Sequence, residues 1–266
     1  MITLSSEINK SHPLPKGASM KKLAFFPLCL LGFLALILAW EKPVLADTTV
    51  TLPAGFAQSY FHDLSHDLGI VTAYVSLEPA APMGIFGFDV GVEASMASIN
   101  ANAPYWAAAT KSSAPGTIVV PRLHVTKGLP GNLDIGFSYA SVPGSNISLM
   151  GGELKFALLA GSVVTPAVSL RGAYTKLNGV TDLDLSSYSV DLSISKGFGP
   201  ITPYAGIQEL FINSKATNAA LNLNAESISN FRGFLGAKLS LAIVNFVVEA
   251  DLGDLPVYSL RFNIGW

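Results

Sequence analysis

The residues best suited to chemistry are the histidines, and there are 4 of them. His62 and His66 stand four apart in the run His62-Asp63-Leu64-Ser65-His66-Asp67. On a helix that spacing puts both rings on one face, which binds a divalent metal when a third ligand joins them. Asp63 and Asp67 are adjacent, but no third ligand at metal spacing is evident. The expected role of this run is therefore the polar face of an amphipathic helix, and no metal is assigned. His124 has the right type for a general base. No serine or carboxylate can be paired with it from spacing, so no catalytic residue is assigned and the chain is not read as an enzyme. The single cysteine, Cys29, lies in an N-terminal apolar run. Once that run is removed the chain has no thiol nucleophile, disulfide or cysteine-based metal site. No cofactor is implied.

A second set of chemical groups is spread along the chain at every other residue. Asp89, Glu93, Arg122, His124, Asp134, Glu153, Lys155, Arg171, Asp191, Arg232, Lys238, Glu249, Asp251 and Arg261 each alternate with apolar neighbours. A strand has a side-chain period of two, so these groups share one face of their strands and the bulky apolar residues occupy the other. Acidic and basic members nearly balance. Interleaved in this way they are expected to fill an enclosed centre with ion pairs and hydrogen bonds. The competing reading is a narrow polar conduit whose selectivity they set.

The elements that must hold these groups follow from the same alternation. Ten strands are predicted, near residues 84–98, 117–127, 132–142, 148–160, 165–176, 184–196, 201–213, 227–240, 242–252 and 258–266. The seventh alternates weakly, and Pro121 predicts imperfect pairing in the second. Taking the last strand as running toward the periplasm, the inner connections come out short (127–131, 161–164, 196–200 and a tight link near Leu241). The outer ones come out mostly longer: 99–116, 142–147, 177–183 and 214–226, with 253–256 the short exception. An even strand number and this loop asymmetry are those of a barrel that crosses a membrane.

Composition agrees. Hydrophobic residues make up 50% of the 266 residues and charged ones only 13%, where soluble domains carry about 25%. An outward face in lipid needs no charge. The net charge of −2, without a basic block, argues against nucleic-acid binding. Residues 1–46 read as a leader and signal peptide starting at Met20. Met20-Lys21-Lys22 is basic, 23–39 is apolar, and Val44-Leu45-Ala46 precedes Asp47 as a cleavage site. Residues 47–82 read as a short amphipathic helix on the stripe Phe56, Tyr60, Leu64, Leu68, Val71 and Val75. It is expected to end at Leu77-Glu78-Pro79-Ala80-Ala81-Pro82. Its predicted location is the periplasmic mouth, the lumen as a plug, or the inner-leaflet interface. An additional strand at 70–77 is the alternative. Residues 83–266 form the predicted barrel.

The C-terminal run Tyr258, Leu260, Phe262, Ile264 and Trp266 alternates up to a terminal aromatic. With the signal segment, the period-two strands, Lys127-Gly128-Leu129-Pro130-Gly131 and Pro203-Tyr204-Ala205-Gly206, it resembles a little-characterised group of proteobacterial outer-membrane β-barrel proteins. Phenylalanine is the more usual last residue, and Trp266 departs from that pattern. The resemblance covers about 84–266 and carries no catalytic motif. It implies an all-β fold, a closed antiparallel up-and-down transmembrane barrel of about ten strands with a short N-terminal amphipathic helix. It also implies residence in the bacterial outer membrane, an assembly signal at Tyr258, Leu260, Phe262, Ile264 and Trp266, and contact with outer-membrane lipid, lipopolysaccharide and the barrel-assembly machinery. A structural or narrow, porin-like pore role with a small solute is expected, with no nucleic acid. The alternatives are a lipid-modifying or proteolytic barrel enzyme, and a surface adhesin or receptor with Pro104-Tyr105-Trp106 as an exposed aromatic anchor.

Overall fold

The computed structural model of this chain describes residues 50–110, 114, 116–141 and 147–266. The predicted leader, 1–46, lies outside them.

Ten antiparallel strands close into one barrel, each bonded to its neighbours in sequence. They are β1 (Phe88–Ser98), β2 (Thr117–Leu129), β3 (Leu133–Ser141), β4 (Ser148–Leu159) and β5 (Ala167–Asn178), followed by β6 (Leu183–Ser195), β7 (Ile201–Ala216), β8 (Glu226–Leu241), β9 (Val244–Leu252) and β10 (Val257–Gly265). Closure is made by β1 on β10, from Asp89 opposite Gly265 to Ala97 opposite Val257. Every predicted strand is present, shifted by a few residues at its ends. The largest shift is in β1, which begins at Phe88 after a turn rather than at Gly84. The predicted fault at Pro121 does not occur in the ladder to β1, where Ala94 faces Pro121 without a register shift. The ladder to β3 begins one residue later, at Arg122, so proline's missing donor is not needed there.

The outer wall carries large apolar side chains on every strand, with the charged Glu209 of β7 among them, across from Val190 and Phe231. Val90 is 50% exposed, Leu154 51%, Leu235 53% and Val248 58%. Half-exposed large side chains all around a closed sheet form a belt far beyond the patches that soluble monomers present. The outward parity of β10 includes Tyr258, Leu260, Phe262, Ile264 and Trp266. Phe262 is buried rather than exposed, edge-on against Phe246 with ring centres 5.2 Å apart. An open apolar groove of about 880 Å³ crosses this wall beside Phe137, Gly152, Gly172 and Tyr174; it lies away from the barrel interior.

The connections divide into two ends. One end, here the turn end, carries the links 130–132, 160–166, 196–200 and 242–243, together with the start of β1 and the end of β10. The other, the loop end, carries 99–116, 142–147 and 217–225, which are long or moderate, and the short links 179–182 and 253–256, so the predicted outer loop at 177–183 is no longer than the turn-end link 160–166. One of these holds helix α2 (Pro104–Ala109).

The N-terminal segment occupies the interior. Helix α1 (Gln58–Thr72) packs against β7, β6 and α2 near the loop end. The chain then runs without regular structure through 73–83. The helix therefore stops at Thr72 and not at 77–82, and 70–77 is not a strand. Arg122 meets the chain where the helix ends. Its guanidinium donates to the carbonyls of Val71 (3.4 Å) and Ala73 (3.0 Å), which satisfies the open end of the helix from the barrel wall.

Two kinds of interior result. Around α1 the inward side chains are apolar: Leu149, Leu177, Leu185, Leu210, Ile212 and Ile228 join Phe61, Leu64, Ile70 and Trp106 in one core. This corrects the expectation that the inward face is polar throughout. It also explains the weak alternation of β7, where Leu210, Phe211 and Ile212 are apolar on both faces. Lower in the barrel the inward face is ionic, with one small apolar cluster of Val75, Leu77, Tyr204, Phe234 and Val247. Leu77 takes a left-handed conformation there (φ 50°), which costs ~1–2 kcal/mol and is offset by its burial.

Candidate functional site: a filled lumen under a helical cap

The inward charges come together as expected from their register, and nearly all are buried. Alternation on neighbouring strands makes them face one another. Arg171 on β5 is directly opposite Asp191 on β6, and its Nε donates to Asp191 Oδ2 at 2.9 Å while Nη1 reaches Glu153 Oε2 at 3.4 Å. Arg261 on β10 is opposite Glu93 on β1 and lies 3.6 Å from it, and 3.5 Å from Asp89. Asn263 also donates to Asp89. Arg122 pairs with Glu93 at 3.5 Å, and Arg232 with Asp251 at 3.5 Å and with Gln208 at 2.6 Å. Glu249 accepts from the Tyr204 hydroxyl at 2.7 Å. Lys238 differs from the others in being only partly buried.

The partners that spacing could not reveal come from 73–83. Glu78 reaches Lys155 Nζ at 2.9 Å, and the same ammonium lies 3.0 Å from Asp134. Ser76 donates to Glu153 at 2.9 Å, and the backbone N–H of Met83 donates to Asp134 at 3.1 Å. The Tyr74 hydroxyl lies 3.1 Å from His124 Nε2. A sequence signal for this was present in the isolated Glu78 between apolar residues, but nothing in the sequence names Lys155 as its partner.

His124 acquires neighbours that suit nucleophilic catalysis on paper. Thr126 Oγ1 is 3.0 Å from Nε2 and Glu93 Oε2 is 3.3 Å from Nδ1. All three side chains are sealed, with His124 0% and Thr126 1% exposed. Tyr74 competes with Thr126 for the same nitrogen, and Glu93 is shared with two arginines. A nucleophile needs access to its substrate, and this group has none.

One interior void, beside Tyr74, Ser76, Arg171, Gln208 and Asp251, has a volume of about 10 Å³. That is room for a single water, which suits the nearby unpartnered Asp251 Oδ2. A solute does not fit there.

At the loop end, α1 is fastened as a cap. The two histidines do share a helix face, but they part to different carboxylates. His62 Nδ1 lies 2.9 Å from Glu226, and His66 lies 3.4 Å from Asp67 and 3.5 Å from Asp254. Among the described residues no cluster of three histidine, cysteine or acidic side chains is placed to hold a metal. Gln58 bonds both Glu226 and Asn224. Asp67 accepts from the Tyr105 hydroxyl at 2.8 Å and from the Trp106 indole at 2.9 Å. Trp106 is 1% exposed, so within Pro104-Tyr105-Trp106 the tryptophan lines the cap from inside, while Tyr105 is half-buried and Pro104 exposed.

The cap is charge-sensitive. Burial works to raise the Asp67 pKa, but hydrogen bonds from His66, Trp106 and Tyr105 hold it below the ordinary carboxylate value. The bond to Asp67 raises His66 above the ordinary imidazole value, against the effect of burial. A raised histidine stabilises fully below its unfolded pKa and loses that contribution as pH climbs through the folded one. The depressed Asp67 contributes above its unfolded value and fails as pH falls. Cap opening, followed through Trp106 fluorescence, is expected at progressively lower temperature as pH rises above ~6.5. His66→Gln is expected to flatten that slope; an unchanged slope would show that another group sets it.

No protein-family model matches the chain, and no curated protein matches it. Solved outer-membrane structures are similar at low identity. Neisserial surface protein A is 9% identical over 67% of this chain and 95% of its own, with a TM-score of 0.29. Ail, the attachment invasion locus protein of Yersinia pestis, is 11% identical over the same shares, also at 0.29. The translocator domain of the autotransporter NalP from Neisseria meningitidis is 10% identical over 79% of this chain and 94% of its own, at 0.30. The barrel itself is established by the hydrogen-bonded ladders and not by these likenesses.

Proposed function

We propose that this protein is an integral barrel of the bacterial outer membrane whose lumen is closed by its own N-terminal segment, and that its role is structural and not enzymatic. The observation that carries the reading is the inversion of the barrel: a half-exposed apolar belt on every strand outside, and buried ion pairs inside. Strands of nine to 16 residues suit a tilted span, which needs ~9–11. Closure pairs the backbone groups that lipid cannot satisfy. The short connections at the turn end then face the periplasm.

Narrow-pore transport is the second reading, and it requires the plug to move. Intact protein in planar bilayers is expected to be electrically silent, because the N-terminal segment and the buried ion pairs occupy the lumen. A variant lacking residues 50–83 is expected to conduct. Conductance by the intact protein would reverse the order of the two readings. Silence in both forms would remove transport altogether.

A further inference from the structure

We infer that the chain crosses its own barrel from end to end, so that residues 50–57 lie at the cell-surface end, with Pro53, Ala54 and Gly55 exposed there, while β10 ends on the periplasmic side. This rests on the outer-membrane reading above and adds to it a topology and a function, self-display of the N-terminal end.

The order of contacts carries the inference. Along β2, numbers rise from the loop end to the turn end. The N-terminal segment meets that strand in the same order. The N–H of Thr51 donates to Ala109 O (2.9 Å) in the loop that precedes β2. The carbonyl of Ala73 accepts from Arg122, and Tyr74 meets His124. The carbonyl of Ile85 accepts from Lys127 Nζ at 2.6 Å, and that of Gly87 accepts from the N–H of Gly128 at 3.0 Å. Strand β4 repeats the order: Ser76 meets Glu153, then the carbonyls of Pro79 and Ala81 accept from Lys155 at 3.2 Å each.

Length allows the crossing. Residues 73–83, extended at ~3.3 Å each, reach ~36 Å, against ~30 Å of hydrocarbon. The loop-end anchors are equally definite. Asn224 N–H donates to Gln58 at 2.8 Å, and His62 meets Glu226 at the first residue of β8. Because β1 is paired on both edges, the segment has no sideways exit. It is threaded through the ring or enclosed when β1 meets β10.

Single-cysteine labelling in whole cells tests this in a Cys29→Ala background, which has no other thiol. Three exposed positions are used: Ala54→Cys before α1, Ala220→Cys in an outer loop and Val163→Cys at the turn end. Each variant is first checked for heat-modifiable migration of a folded barrel. A membrane-impermeant maleimide is expected to label Ala54→Cys and Ala220→Cys in intact cells, and Val163→Cys only after permeabilisation. Labelling of Ala220→Cys without Ala54→Cys would overturn the crossing and leave the membrane barrel standing. Labelling of Val163→Cys alone would invert the orientation and overturn the display. Equal labelling of all three in soluble extracts would overturn the outer-membrane reading as well.

Discussion

Lys155→Met is expected to release the lower half of the plug while the barrel stays closed. The ammonium is 1% exposed and serves two buried carboxylates, Glu78 and Asp134, as well as the carbonyls of Pro79 and Ala81. Methionine fills similar space but leaves both carboxylates buried without their cation. Breaking a buried pair from one side costs ~3–5 kcal/mol. The strand ladders do not pass through this side chain, so the loss falls on 73–83. Hydrogen exchange should rise across 73–83 with little change in β4, and the temperature of the gel-mobility shift should drop. Adding Glu78→Gln and Asp134→Asn should recover much of the loss, because the cost lies in the stranded charges more than in the missing bond. Unaltered exchange in 73–83 would show that the plug is held elsewhere.

Trp106→Ala is expected to open the opposite end. The indole lies in the core with Phe61, Leu64 and Leu68 and donates to Asp67 at 2.9 Å. Removing a buried tryptophan costs ~3–5 kcal/mol. Here the cavity opens under a helix that is tied to the rest of the barrel by few strand-like bonds. Protease added from the loop side should then cut within α1, where the native protein is expected to resist it. Trp106→Phe keeps most of the packing and loses the bond to Asp67, which retains Tyr105, so its effect should be ~1–3 kcal/mol. If the phenylalanine variant is as fragile as the alanine one, the hydrogen bond and not the packing holds the cap.

The two variants separate the contributions of local pattern and of tertiary contact. Strand positions and the facing of Asp89, Glu93, Arg122, Arg171 and Arg261 were legible because alternation is a local property of extended chain: neighbouring residues must point to opposite faces. That the inward charges meet partners of opposite sign also follows once the strands are taken as consecutive neighbours. Lys155 shows the limit. Its carboxylate from β3 is foreseeable, but Glu78 lies in a segment with no period to read.

The same limit hid the upper interior. Inward Leu210 and Ile212, next to outward Phe211, read in sequence as a poor strand. They are a good strand beside an apolar helix, and only the helix's position makes them so. Trp106 likewise looks like a surface aromatic in a loop until α1 is folded beneath it. The sequence by itself determined a ring of ten strands, their inside and outside, and the existence of an amphipathic N-terminal helix. Only the tertiary structure decided that this helix enters from the loop end, stops at Thr72 and sends the chain down through the centre. Alternation reports the faces of a strand, whereas the path of an aperiodic segment is set by long-range partners, Arg122 and Lys155 above all, whose pairing leaves no local trace.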